Sequence, residues 1–202
     1  MSIELPEAMI LARQMNEKLQ GKRIQSYHLQ KYERLQRIGM LNPDLSVFNH
    51  LTNTTIIQVF SRGNTIRVFL DHAWNLLIGP EYGGQIRYHA AETTRLTNYH
   101  LKLEFDDATA LTVHLTSMGL IFVVSDEGLD QLYLVRRDFD KQKLDPLDSS
   151  FTLERFTERL TAQNRMLKST LVGKNAILVG LSNSTFQDVI YRAKTHPKRK
   201  AS

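Results

Sequence analysis

Four apolar residues near the start of the chain, Ala8, Leu11, Met15 and Leu19, recur at i, i+3, i+7 and i+11, with Arg13, Asn16, Glu17 and Lys18 between them. A period near 3.6 puts the apolar set on one face, so the segment is predicted to be an amphipathic helix. Pro6 falls in its first turn, where a missing N–H breaks no bond. Gly21 supplies a stop, with Lys18 and Lys22 near the negative end of the helix dipole.

Between residues 24 and 135 the period changes to two. Leu101-Lys102-Leu103-Glu104-Phe105 and Leu111-Thr112-Val113-His114-Leu115 alternate apolar and polar, and Asp106-Asp107-Ala108-Thr109 between them has hairpin-loop chemistry. Ile56–Phe60, Thr65–Leu70, Trp74–Ile78 and Leu120–Val124 are short and rich in β-branched, aliphatic and aromatic residues. Many short strands with close turns predict an antiparallel sandwich or barrel. Near residue 138 the pattern shifts again. Asp138-Phe139-Asp140-Lys141-Gln142-Lys143 is polar, and Asp145-Pro146-Leu147-Asp148 reads as a linker. Helical spacing follows in Phe156 and Leu160, then Met166, Leu167 and Leu171, and finally Phe186, Val189, Ile190 and Ala193. Ser182-Asn183-Ser184-Thr185 is a run of side chains able to cap a helix. The pattern therefore predicts a β domain over 1–137, a linker over 138–147 and a small helical domain over 148–202.

Composition narrows the chemistry. The chain has 202 residues and no cysteine, which removes disulfides, thiol nucleophiles and cysteine-held metals within it. It has no run of 18 apolar residues and no basic-then-apolar leader, so neither a membrane span nor secretion is expected. The net charge of +5 is uneven: residues 151–202 hold ten Lys/Arg against three acids, a local +7. Such a basic quarter on a near-neutral body suits a polyanion, or else a solvated helical face with a basic tail. No phosphate-binding glycine loop, Gly-x-Ser-x-Gly elbow or metal-spaced histidine pair occurs. His72, His89, His100 and His114 read as structural or surface strand residues. Two segments stand out. Ile3-Glu4-Leu5-Pro6-Glu7 precedes a helix and has acids suited to its dipole; Gly180-Leu181-Ser182-Asn183 opens a helix within the basic region, as a cap or an anion site.

These segments carry a resemblance. Glu4-Leu5-Pro6-Glu7 resembles the Pro-Glu-Leu-Pro-Glu start of the DNA-formamidopyrimidine glycosylase and endonuclease VIII family, and Gly180-Leu181-Ser182-Asn183 its Gly-Leu-Gly-Asn turn. The run from Gln187 to Arg199 is similar to the helix ending in Ala-x-x-His-Pro, and Asp145-Pro146-Leu147 to the Glu/Ser-Pro-Leu linker. The four motifs come in order over essentially the whole chain. The resemblance implies an α+β protein: a two-layer antiparallel β-sandwich with a leading helix, then a helix–two-turn–helix DNA-binding domain. It implies a DNA repair enzyme, a glycosylase with AP-lyase activity that extrudes a damaged base and attacks C1′ with its N-terminal amine.

The sequence also departs from the family. Ile3 stands where the family has its catalytic proline, with Met1-Ser2 before it. Removal of Met1 would leave a primary amine on Ser2, about 3.5 Å of chain further from Glu4. Asn64 stands after Arg62-Gly63 where the family has a lysine, and Thr116-Ser117-Met118-Gly119 lacks the arginine of the intercalation loop. The catalytic residues the resemblance implies are Ser2, Glu4 and Glu7. The DNA contacts the resemblance implies are Arg62, Asn64, Tyr82, Lys168, Asn183, Lys198 and Arg199, with no metal ligand expected. No cofactor is expected in this chain, since the family's four-cysteine zinc finger would lie beyond Ser202. The expected partner is double-stranded DNA, damaged or abasic, bound by a cytoplasmic, nucleoid-associated monomer. A catalytically impaired DNA-binding relative, or a module keeping only the fold, are the alternative readings.

Overall fold

Helix α1, Leu5–Leu19, buries Ala8, Met15 and Leu19 of the stripe its periodicity predicts, adds Leu5 and Ala12 to that face, and leaves Leu11 only partly buried on its flank. The computed structural model describes residues 3–80, 83–91, 97–116, 118–129, 138–173 and 175–201. Ser2, Tyr82 and Ser117 lie outside them. The strands are β1 (Ile24–Leu29), β2 (Ile56–Arg62), β3 (Thr65–Leu70), β4 (Trp74–Pro80), β5 (Gln85–His89), β6 (Leu101–Phe105), β7 (Ala110–His114) and β8 (Gly119–Ser125). A short helix α2 (Glu33–Arg37) and a 3-10 turn (Leu45–Leu51) lie between β1 and β2.

The strands form two antiparallel four-stranded sheets, ordered β1-β6-β7-β5 and β2-β3-β4-β8. Their inner faces and α1 enclose one apolar core that includes Phe48, Ile66, Leu76, Leu103, Phe105 and Ile121. The alternation in β6 keeps Leu101, Leu103 and Phe105 inside. β4 and β8 read instead as nearly unbroken apolar runs, because both their faces are covered. Leu77, Leu120, Phe122 and Val124 point away from the main core and pack with Phe139. β5 and β1 carry weak alternation, which is why neither is evident in the sequence.

Among the described residues the helices α3 (Leu153–Thr161), α4 (Leu167–Leu171) and α5 (Asn183–Arg192) follow. Thr152 caps α3 by accepting from Arg155 N at 3.2 Å. Leu144, Leu171, Ile177, Leu178 and Phe186 form a separate small core. The fold is thus α+β, a two-sheet β body with a leading helix followed by a helical lobe. The segment between them is anchored at both ends, Phe139 against the sheet and Leu144 in the helical core. Among the described residues no helix is long and apolar enough to cross a membrane.

Candidate functional site

The start of α1, the β2–β3 turn, the linker and the start of α5 meet at one junction. Glu4 is only 3% exposed. Its backbone N–H donates to Glu7 Oε2 at 3.2 Å, half of a capping box at the start of α1. Its own carboxylate reaches the other lobe. Oε2 accepts from Thr185 N at 2.9 Å and from the Thr185 hydroxyl. Thr185 is the third residue of α5, so Glu4 fills the role of that helix's N-cap side chain from 181 residues away. The sequence suggests a cap from Ser182 to Thr185; Ser182 occupies the N-cap position but its side chain makes no cap bond.

Beside this contact Leu5 N donates to Gly180 O at 3.3 Å. Gly180 has φ +72°, and a Cβ there would lie 2.7 Å from Leu5 Cδ1 and 2.8 Å from Gly63 Cα. Gly63, at φ +59°, fits the first central position of the two-residue turn between β2 and β3. Its open side is filled by Asp138, which is 1% exposed and accepts from Thr65 Oγ1 at 2.7 Å and Asn64 N at 3.3 Å. A cavity of about 160 Å³ opens here, lined by Asn64, Asp138, Lys143, Gly180, Ser182 and Asn183 among others.

The structure brings some of the expected residues together. Glu4, Glu7, Asn64 and Asn183 belong to the junction; Glu7 and Asn183 are exposed, and Asn64 is buried with an Oδ1 that accepts no hydrogen bond. Lys168, Lys198 and Arg199 gather elsewhere on the helical lobe. There Lys168 N donates to Pro197 O, Leu167 N donates to Arg199 O, and Met166 bridges Lys200. All three basic side chains are exposed. Arg62 turns to the linker, pairing with Asp145 at 3.3 Å. Sequence reasoning missed Thr185 and Asp138, although both lie in polar runs that it singled out.

The Glu4 carboxyl feels two opposed effects. Burial pushes its pKa up, but the hydroxyls of Ser182, Thr185 and Ser184 and the Thr185 amide draw it down further, to a value below the ordinary 4.5. Glu4 is therefore an anion at neutral pH. Oε1 is buried and accepts no hydrogen bond. A depressed folded-state pKa gives stability that is present above the unfolded value and lost as pH falls through the folded one. The urea midpoint of the wild type should thus exceed that of Glu4→Gln at pH 7, and the gap should close on acidification below about 4.5. A gap constant with pH would contradict the assignment. Among the described residues no group of three His, Asp or Glu could hold a metal ion.

The comparisons with known proteins fit this geometry. The profile of the formamidopyrimidine-DNA glycosylase N-terminal domain matches residues 3–118. Formamidopyrimidine-DNA glycosylase of Roseiflexus sp. (strain RS-1) is 25% identical over 200 residues, covering 98% of this chain and 70% of the relative. That of Chloroflexus aurantiacus is 26% identical over 196 residues, covering 96% of this chain and 66% of the relative. Among solved structures, MutM in complex with DNA containing carbocyclic 8-oxo-G superposes with a TM-score of 0.77 at 22% identity, covering 98% of this chain and 72% of that one. The Lactococcus lactis enzyme bound non-covalently to AP-site DNA superposes with a TM-score of 0.78 at 22% identity, covering 98% and 71%. The profile spans more than half of the chain, from Ile3 through both sheets of the β body almost to β8, and the chain belongs to the formamidopyrimidine-DNA glycosylase family.

Proposed function

We propose that the protein is a DNA repair glycosylase that draws a damaged base out of duplex DNA and cleaves its bond to the sugar. The observation that carries this reading is the contact of Glu4 with Thr185. It joins the N-terminal Glu-Leu-Pro-Glu segment to the start of α5, where Asn183 is exposed, so the reacting end of the chain and a proposed DNA backbone contact share one junction. Relatives solved with 8-oxo-G DNA and AP-site DNA support lesion-bearing duplex DNA as the partner.

The nucleophile is the α-amine left on Ser2 once Met1 is removed. Such an amine titrates near 7.7–8.0, so a useful fraction is unprotonated at neutral pH. It bonds to C1′ of the damaged nucleotide while the glycosidic electron pair leaves with the base, which picks up a proton. Glu4 takes the proton released by the amine and returns it to the sugar ring oxygen as the ring opens. The resulting Schiff base permits strand cleavage. No other activated nucleophile is available near this end: the chain has no cysteine, and its first lysine is Lys18. The chemistry requires no cofactor from this chain. The protein works as a monomer in the cytoplasm, at the nucleoid in a bacterium.

Borohydride trapping on abasic-site DNA tests this directly. Only a weak covalent adduct is expected, since Ile3 sets the amine about 3.5 Å of chain further from Glu4, and blocking the N-terminal amine should abolish it. An adduct that survives blocking, or none at all with tight binding retained, would overturn the mechanism. Asn183, Lys168, Lys198 and Arg199 are the proposed phosphate contacts. Replacing Lys198 and Arg199 by Gln should weaken binding to every duplex alike and flatten the salt dependence by about 0.9 for each phosphate no longer neutralised. Asn183→Ala should weaken all sequences similarly at an unchanged slope. Weakening confined to lesion-bearing DNA would count against phosphate contact.

A further inference from the structure

The linker between the lobes is held in a way that its sequence does not reveal. Arg62, at the end of β2, sends Nη1 to Asp145 Oδ2 at 3.3 Å and Nη2 to the carbonyls of Asp140 and Lys143, each at 3.2 Å. In return Asp138, at the start of the linker, accepts from Asn64 N and Thr65 Oγ1 of the β2–β3 hairpin. Arg159 of α3 donates to Gln142 O from the helical side. Leu144 pairs with the helical lobe through Leu144 N to Ile177 O at 2.8 Å and Val179 N to Leu144 O at 3.0 Å. The carbonyls that a flexible hinge would leave to water are thus occupied by arginines from both lobes.

We infer that Arg62 and Asp145 form the keystone of a clasp that fixes the angle between the lobes, and that Arg62 is a positioning residue for DNA rather than a phosphate contact. The inference rests on the proposed function for its link to DNA, but the clasp itself does not. With the angle fixed, Asn64 and the start of α5 are presented to the duplex as one prearranged surface, and binding need not first order two independent lobes. Loss of the keystone lets the lobes rock about the remaining Glu4–Thr185 and Leu5–Gly180 contacts and lowers affinity, while every group that meets DNA stays in place on its own lobe.

Opposite charges make the two roles separable. If Arg62 touched phosphate, Arg62→Met would flatten the salt slope by about 0.9, while Asp145→Asn, which removes a negative charge, would strengthen binding. The clasp requires the same sign from both. Arg62→Met and Asp145→Asn should each weaken binding to a duplex carrying a tetrahydrofuran abasic analogue by about tenfold at an unchanged salt slope, and the double variant should be little worse than either. Opposite signs, or a flattened slope for Arg62→Met, would overturn the inference. A second arm needs no DNA. The chain lacks cysteine, so spin labels on Glu17→Cys and Glu158→Cys, both exposed, report the interlobe distance alone. A narrow distribution that broadens with Arg62→Met supports the clasp, and an unchanged one refutes it. If the unaltered protein failed to bind the duplex at all, the proposed function would fall while the distance measurement still decided the clasp.

Discussion

Glu4→Gln is expected to lower turnover on lesion-bearing DNA by about 10²–10⁴ while leaving the protein folded and DNA-bound. The expectation comes from two features of one side chain. Its carboxylate is buried and ionised, held below the ordinary carboxyl value by the hydroxyls around it. It also caps α5 through Thr185. Glutamine keeps an acceptor for the Thr185 amide but cannot take up a proton at neutral pH. Glu4→Ala removes both. Should Glu4 act only as a cap, glutamine would retain nearly full activity, and alanine would lose stability by about 0.5–2 kcal/mol. Should it carry the proton, glutamine and alanine would be equally inactive, differing only in melting temperature. Single-turnover rates and thermal melts on the two variants decide the matter, and an active Glu4→Gln protein would remove Glu4 from the mechanism.

The parts of this molecule that were legible in the sequence are those with local causes. The β6–β7 hairpin announces itself because apolar and polar residues alternate along both strands, though only β6 buries every second residue, and the Asp-Asp-Ala-Thr loop favours a turn. α1 follows from its stripe, and the N-terminal motif and the basic quarter were open to inspection. The hidden parts depend on partners far along the chain. Arg62 lies beside a turn that the resemblance assigns to DNA, yet its partner Asp145 is 83 residues away and turns it to the linker. The acid capping α5 lies in another lobe, so the local cap residues Ser182 to Thr185 point to the right helix start and the wrong capping side chain. β5 escaped because Gln85-Ile86-Arg87-Tyr88-His89 offers a single aliphatic residue, leaving pairing with β7 to define it. Tyr82 and Ser2 lie outside the described residues, so their part in the site rests on the resemblance.

Gly180→Ala should destabilise the protein by about 2–5 kcal/mol, the sum of a left-handed backbone costing about 1–2 and a steric overlap costing about 1–3. The backbone at Gly180 has φ +72°, and an added methyl would lie 2.7 Å from Leu5 Cδ1, 2.8 Å from Gly63 Cα and 3.0 Å from Leu5 Cβ. Leu5 Cδ1 is a side-chain end, but Gly63 Cα is backbone of a tight turn and Leu5 Cβ is fixed to the start of α1, so turning the buried Leu5 side chain would not clear the overlap. Gly173 provides the control. It too is left-handed, at φ +95°, but a Cβ there would meet nothing within 4 Å. Gly173→Ala should therefore cost only the backbone share, about 1–2 kcal/mol. The difference between the two variants in urea unfolding isolates the close approach of the three segments at the junction. Relief of the overlap can come only by parting Leu5 from the α5 turn or Gly63 from Gly180. The first carries Glu4 away from Thr185, and the second carries Asn64 away from Asn183. Gly180→Ala should accordingly lose glycosylase activity beyond what its reduced folded fraction explains, at a temperature where Gly173→Ala remains active. Equal stability losses for the two alanines would mean that the junction can part without cost, and that this glycine does not seat the reacting end of the chain against the DNA-binding helix.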